Sequence, residues 1–142
     1  MDRCNASWFA VQTHGGKEYL AIANLERQGF EAWCPMIATQ QRSNRKAQPP
    51  KLPMFPRYVF VKRDLSKQRW KPIDGTFGVV RLLRTGDRPA VLPRGLVSRL
   101  IELSDEDGVI ELENSLQPGD QARVMSGAFD DWIGHVVEMS DQ

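Results

Sequence analysis

Pro53-Met54-Phe55-Pro56-Arg57-Tyr58-Val59-Phe60-Val61-Lys62 is the stretch whose reading decides the fold. Proline fixes φ and removes a backbone donor, so Pro56 belongs at the mouth of a strand and not inside one. From Tyr58 to Val61 every residue is aromatic or β-branched. Strand side chains alternate with period two, which puts Tyr58 and Phe60 on one face and Val59 and Val61 on the other. The valines suit the covered side of a sheet. The aromatic pair opposite needs a helix over it or a partner; ordinary core rings are the competing reading, because aromatics dominate cores as well as interfaces.

Outward from this strand, elements alternate. Trp8 to Thr13 reads as a first strand, with Trp8, Ala10 and Gln12 on one side and Phe9, Val11 and Thr13 on the other, broken by His14-Gly15-Gly16. A helix follows from Lys17 to Gln28, on Tyr19, Leu20, Ile22, Ala23 and Leu25, and Gly29 closes it. Phe30 to Trp33 is a short strand stopped by Pro35. Met36 to Leu52 is polar and ends in Pro49-Pro50, which predicts an exposed loop or loose hairpin. Leu65 to Trp70 predicts a short helix ending before Pro72, Val79 to Leu83 a strand, and Arg94 to Leu103 a helix with Leu96, Leu100 and Leu103 on its apolar face. Ser104 to Gln117 is an acidic linker in which Ile110 and Leu112 could pair as a small strand. Beyond it, Gln121, Arg123 and Met125 alternate with Ala122, Val124 and Ser126, which predicts a strand; His135 to Met139 reads as a second. The first hundred residues thus predict an α+β fold with helices on one side of a sheet.

The 142 residues suit one domain, or one domain and a fragment of another. No apolar run approaches the roughly 20 residues of a membrane span, and the N-terminus lacks a signal-peptide core. Cys4 and Cys34 form neither a metal spacing nor a framework, which fits a reducing, cytoplasmic setting. A net charge of +1 hides an asymmetry. Residues 1–101 carry eighteen Lys/Arg against seven Asp/Glu, and residues 102–142 carry Arg123 against eleven acids. Between Arg42 and Lys71 ten positive side chains face only Asp64, a field that attracts polyanions when it is not merely a solvated face. Phosphate-binding glycine loops are absent. Asp105-Glu106-Asp107 reads as a solvated face, Cys34 as a buried thiol without an activating base, and His14 and His135 are far apart in sequence. No catalytic constellation, metal site or cofactor is expected.

Phe55-Pro56-x-Tyr58-Val59-x-Val61 resembles the central strand of the NusG family of transcription elongation factors. Three further blocks agree in order and spacing. Trp8-Phe9-Ala10-Val11-Gln12-Thr13 with the following Gly-Gly-Lys-Glu resembles the family's first strand and helix. Thr76-Phe77-Gly78-Val79-Val80 and Asp87-Arg88-Pro89-Ala90-Val91-Leu92-Pro93 resemble its last N-domain strand and the turn beyond. Pro118 to Val136 resembles the opening of a KOW motif. The resemblance implies an N-terminal NGN-type domain over 1–104, related to the ferredoxin-like pattern, with a four-stranded antiparallel sheet and flanking helices. It implies an acidic linker over 105–117 and a truncated KOW segment over 118–142. Two strands of an SH3-like barrel are marginal alone, so that segment is expected to be flexible, packed on the first domain, or completed by another chain, and more residues are expected after Gln142.

The resemblance also implies function. An NGN domain grips the clamp helices of the RNA polymerase β′ subunit through an aromatic pocket; the matching positions are Phe55, Tyr58 and Phe60, with Trp8 nearby. Ser66, Lys67 and Gln68 would face the opposite rim of the cleft, on the β subunit. Arg42, Arg45, Lys46, Lys51, Arg69 and Lys71 are candidate phosphate contacts to non-template DNA at the upstream fork, with His14 beside them and Trp70 or Phe77 able to stack on a base. The expected protein is a monomeric elongation or antitermination factor, away from membranes. A complete KOW domain would add ribosome or Rho contacts. Arg57 where glycine is common, the unusual loop at 40–51, and Leu82-Leu83-Arg84-Thr85 in place of a Gly-Gly-Thr run point to a specialised paralogue of the RfaH kind. The alternative is a ribosome-associated KOW protein that binds RNA, against which the acidic C-terminal part argues. A small enzyme of ferredoxin-like fold ranks last. The leading reading requires the rings to line an open hollow.

Overall fold

The computed structural model describes residues 7–38, 51–64, 69–93, 95–111 and 121–140. Along the chain run β1 (Ser7–Thr13), α1 (Glu18–Arg27), β2 (Glu31–Trp33), β3 (Met36–Ala38), β4 (Lys51–Pro53), β5 (Tyr58–Arg63), α2 (Lys71–Asp74), β6 (Val79–Leu82), β7 (Arg84–Thr85), β8 (Arg88–Pro89), α3 (Leu96–Leu103), β9 (Val109–Glu111) and α4 (Gln121–Ser140). The main sheet has four antiparallel strands in the order β2-β5-β1-β6. The predicted central strand is central: β5 pairs with β1 from Ser7↔Arg63 to Gln12↔Tyr58 and with β2 from Glu31↔Lys62 to Trp33↔Phe60. A second sheet, β4-β3-β9, joins an antiparallel pair to a parallel one. The ends of the predicted polar loop therefore do form a hairpin, and the small strand before α4 does pair. Residues 39–50 between β3 and β4 lie outside the described residues.

Period-two alternation sorts the core into two layers. Phe9, Val11, Val59 and Val61 meet Ala21 and Leu25 of α1 and Ile73 of α2. Ala10 and Phe60 meet Leu96, Val97 and Leu100 of α3, and Phe129 and Val136 of α4. Helices thus cover both faces of the sheet, not one as the sequence predicts. α3 packs on the face opposite α1 and α2, and α4, which the alternating pattern disguises as strands, extends that second layer.

The turn before β5 is strained. Arg57 is the only described non-glycine residue with positive φ, at 74°. This left-handed backbone costs an L-residue about 1–2 kcal/mol, which is why glycine suits the position. The turn is held all the same: the Arg57 N–H donates to the buried Glu18 carboxylate at 2.9 Å, and its carbonyl accepts from the Thr13 N–H at 2.7 Å. Arg57→Gly is expected to raise stability by about 1 kcal/mol, since both bonds are made by the backbone. Urea denaturation checks this; a lower midpoint would show that the guanidinium contributes more than the strain costs.

Pro72 also departs from expectation. It is the second residue of α2 and does not terminate a helix. Proline is tolerated there because a first-turn N–H has no intrahelical acceptor. Of the predicted helix at 65–70, residues 65–68 lie outside the described residues.

Candidate protein-docking site

Three of the predicted anchor rings do come together. Phe55 and Phe60 lie with ring centres 5.6 Å apart, and Trp33, which the sequence reading did not single out, adds an edge contact to Phe60 at 6.4 Å. Into this group projects Phe129 of α4, with ring centres 4.3 Å from Phe55, 5.5 Å from Phe60 and 5.6 Å from Tyr58. Trp132 stacks behind it at 5.9 Å. Phe55, Phe60 and Phe129 are all buried, and Tyr58 is half-buried. Burial pushes the Tyr58 phenol above its ordinary pKa; Arg81 and Arg57 oppose the shift, while Asp130 of α4 adds to it.

The expected open hollow is therefore absent in this conformation. Phe55 and Phe60 are sealed beneath the chain's own α4, and Tyr58 is partly covered by it. The expected KOW strands are corrected with it, since Gln121–Ser140 is a single helix. The cause is legible after the fact. Phe129, Trp132, Ile133 and Val136 fall at i, i+3, i+4 and i+7, the stripe of an amphipathic helix, and all four pack on the α3 side of the sheet. Alternation over the six residues from Gln121 to Ser126 is too short to outweigh that stripe.

The other predicted positions separate. Trp8 is half-buried and lines a different cleft with Trp33. Ser66, Lys67 and Gln68, like Arg42, Arg45 and Lys46, lie outside the described residues. Lys51, Arg69 and Lys71 are exposed. His14 and Phe77 are brought together: with Lys17, Leu20 and Thr76 they line a hollow of about 320 Å³, and Phe77 is 75% exposed. Gly78 seats this loop on α1, because a Cβ there would lie 3.2 Å from the Ala21 nitrogen. Asn24 donates to the Phe77 carbonyl at 3.2 Å and Gln28 to the Thr76 hydroxyl at 2.7 Å, fixing the loop further. Trp70 is less available than predicted. It packs against the core, and the Arg84 guanidinium, itself paired with Asp74, lies 4.6 Å over its ring.

Cys34 is buried as expected, and burial, helped by Glu18, pushes its thiol up to about 12. Such a thiol stays protonated and is a poor nucleophile. Among the described residues no group of His, Cys, Asp and Glu could hold a metal ion, and no helix is long and apolar enough to cross a membrane.

The molecule is an α+β module whose most elaborated surface is an aromatic face that holds a helix. Comparison with known proteins places it. The family described as "Transcription termination factor nusG" matches residues 6–101. The chain is 31% identical over 153 aligned positions to the transcription termination/antitermination protein NusG of Thermus thermophilus, covering 95% of this chain and 83% of that one. It is 28% identical to the protein of the same name from Staphylococcus aureus, covering 93% of this chain and 79% of the relative. Among solved structures it is similar to one described as "Domain interaction in Thermotoga maritima NusG", with a TM-score of 0.43 and 18% identity over 65% of this chain and 53% of that chain. The chain belongs to the NusG family.

Proposed function

We propose that the chain is a transcription elongation and antitermination factor that acts by binding RNA polymerase. The clamp helices of the β′ subunit dock on the face of Phe55, Tyr58 and Phe60. One observation carries this reading: the face already holds a helix, α4, through a Phe129-Trp132-Ile133-Val136 stripe. A surface shaped to take an apolar helical stripe from its own chain can take one from another. Docking of the clamp hairpin and docking of α4 are mutually exclusive, so binding selects the α4-free population. A ligand that holds the polymerase clamp in its processive arrangement would suppress pausing and termination without chemistry of its own.

The basic side chains Lys51, Arg69 and Lys71 and the hollow at His14 and Phe77 would face non-template DNA near the upstream fork, with phosphates met by charge and an unstacked base by the exposed Phe77 ring. Further contacts from Arg42, Arg45 and Lys46 to DNA, and from Ser66, Lys67 and Gln68 to the β-subunit rim, belong to the same proposal, with Trp8 peripheral to the β′ contact.

The test uses a Phe129→Asp background, in which α4 is displaced, and an immobilised clamp-helix hairpin. Tyr58→Ala in that background should weaken retention about 30-fold, the effect of losing one interface anchor of roughly 2 kcal/mol. Tyr58 is half-buried, so its truncation leaves the sheet standing. Unchanged retention would move the polymerase contact off this face.

A further inference from the structure

A second hollow, of about 400 Å³, opens on the same side of the main sheet as the ring cluster, and among the described residues none of α4 lines it. Trp8 of β1 and Trp33 of β2 wall it, and Ile101 of α3, 47% exposed, forms its lip. The remaining rim is acidic: Glu31 from β2, and Asp105, Glu106 and Asp107 from the turn between α3 and β9. Asp105 is occupied by the fold, because its Oδ1 accepts from the Asp107 N–H at 2.8 Å and the Val109 N–H at 3.0 Å. Glu31, Glu106 and Asp107 are exposed, and among the described residues none of them is in an ion pair.

Carboxylates alone would be an ordinary solvated face. Here they surround two indole rings at the walls of a cavity. An indole face attracts a cation lying within about 6 Å of the ring centre. The chain already makes such a contact: the Lys62 ammonium lies 6.0 Å over the Trp8 ring. The second wall is built with little tolerance. Gly108 has φ +77°, and a Cβ there would come within 2.8 Å of the Trp33 Nε1. Glycine lets the indole lie directly on the turn that carries the acids.

We propose that this cleft receives an arginine or lysine side chain presented by a peptide segment of a partner protein. A guanidinium can stack on an indole while its edge donates to the rim carboxylates, and an ammonium can do so as a point charge. The sign of the rim selects this occupant. An acidic ligand or nucleic acid is repelled, and a purely apolar anchor would strip water from three carboxylates without supplying a counter-charge. The inference uses neither α4 nor the Phe55-Tyr58-Phe60 cluster; it shares Trp8 with the edge of the proposed polymerase contact, and the charge reversals that test it lie on rim residues outside that contact.

The experiment titrates the full chain, ¹⁵N-labelled and at low salt, with acetyl-Arg-Gly-Arg amide. The indole N–H signals of Trp8 and Trp33 should shift saturably while those of Trp70 and Trp132 hold still. Acetyl-Glu-Gly-Glu amide should move none of them. The double variant Glu106→Lys, Asp107→Lys should weaken binding at least about tenfold, as expected for losing two exposed charge pairs and gaining repulsion. Glu31→Lys, on a different element, should weaken it in the same direction. Absence of a saturable shift overturns the proposal, as does equal response to both peptides or binding that survives both charge reversals.

Discussion

Phe129→Asp is expected to expose the aromatic face and to raise the apparent affinity of the full chain for a clamp-helix hairpin by about two orders of magnitude. The substitution puts a carboxylate where the wild-type ring is 1% exposed and in contact with Phe55, Tyr58, Phe60 and Trp132. Burying an unpaired carboxylate among rings costs several kcal/mol, so α4 leaves the face instead. If docking of α4 is worth about 3 kcal/mol, the wild type presents an open face about 1% of the time. Its apparent dissociation constant is then raised about 100-fold over the intrinsic one, and the variant removes that factor. Titration calorimetry with the hairpin measures the gain, and Trp132 fluorescence reports whether α4 has left. An unchanged affinity with α4 displaced would show that these rings do not form the binding face.

Phe60→Ala has the other large effect, on the fold. Phe60 is fully buried between strands β1 and β2 and touches Trp33, Phe55 and Phe129. Removing such a ring costs about 3–5 kcal/mol, against a total of about 5–15 kcal/mol for a domain. Thermal unfolding followed by near-UV circular dichroism should move down by about 10 °C or more. A loss below about 1 kcal/mol would mean that the cluster repacks freely. Lost binding in this variant therefore says little about an interface, whereas lost binding in Tyr58→Ala does.

Most of the sheet is legible in the sequence because its strands obey one simple rule. Val59 and Val61 against Tyr58 and Phe60, and Phe9 and Val11 against Ala10, alternate cleanly, and breakers such as Pro56 and His14-Gly15-Gly16 mark their ends. The left-handed backbone at Arg57 is not read from the sequence, where the resemblance marks only that glycine is common at that position; the structure supplies the reason. The C-terminal helix is not legible either. The resemblance to a KOW opening supplies a β expectation, and Gly127 and Gly134 weaken the local helix signal, each costing about 1 kcal/mol relative to alanine. Only the partner surface decides the matter, since the stripe from Phe129 to Val136 is worth burying only where Phe55, Tyr58 and Phe60 wait for it. The cleft between Trp8 and Trp33 was hidden for a different reason. Its walls come from β1, β2 and the turn after α3, and no local pattern announces that those three segments meet. The acids at 105–107 read as a solvated face because nothing in the sequence places two indoles behind them.

The parallel pairing of β9 with β3 pins the chain at Glu111, ten Cα steps before α4 begins at Gln121. Ten steps span at most about 35 Å, so an undocked α4 remains a local competitor at roughly millimolar effective concentration. Any visiting hairpin must therefore win a contest against a rival that never diffuses away. On the proposed docking, brief or poorly matched encounters lose that contest, and additional contacts that hold a visitor nearby favour it.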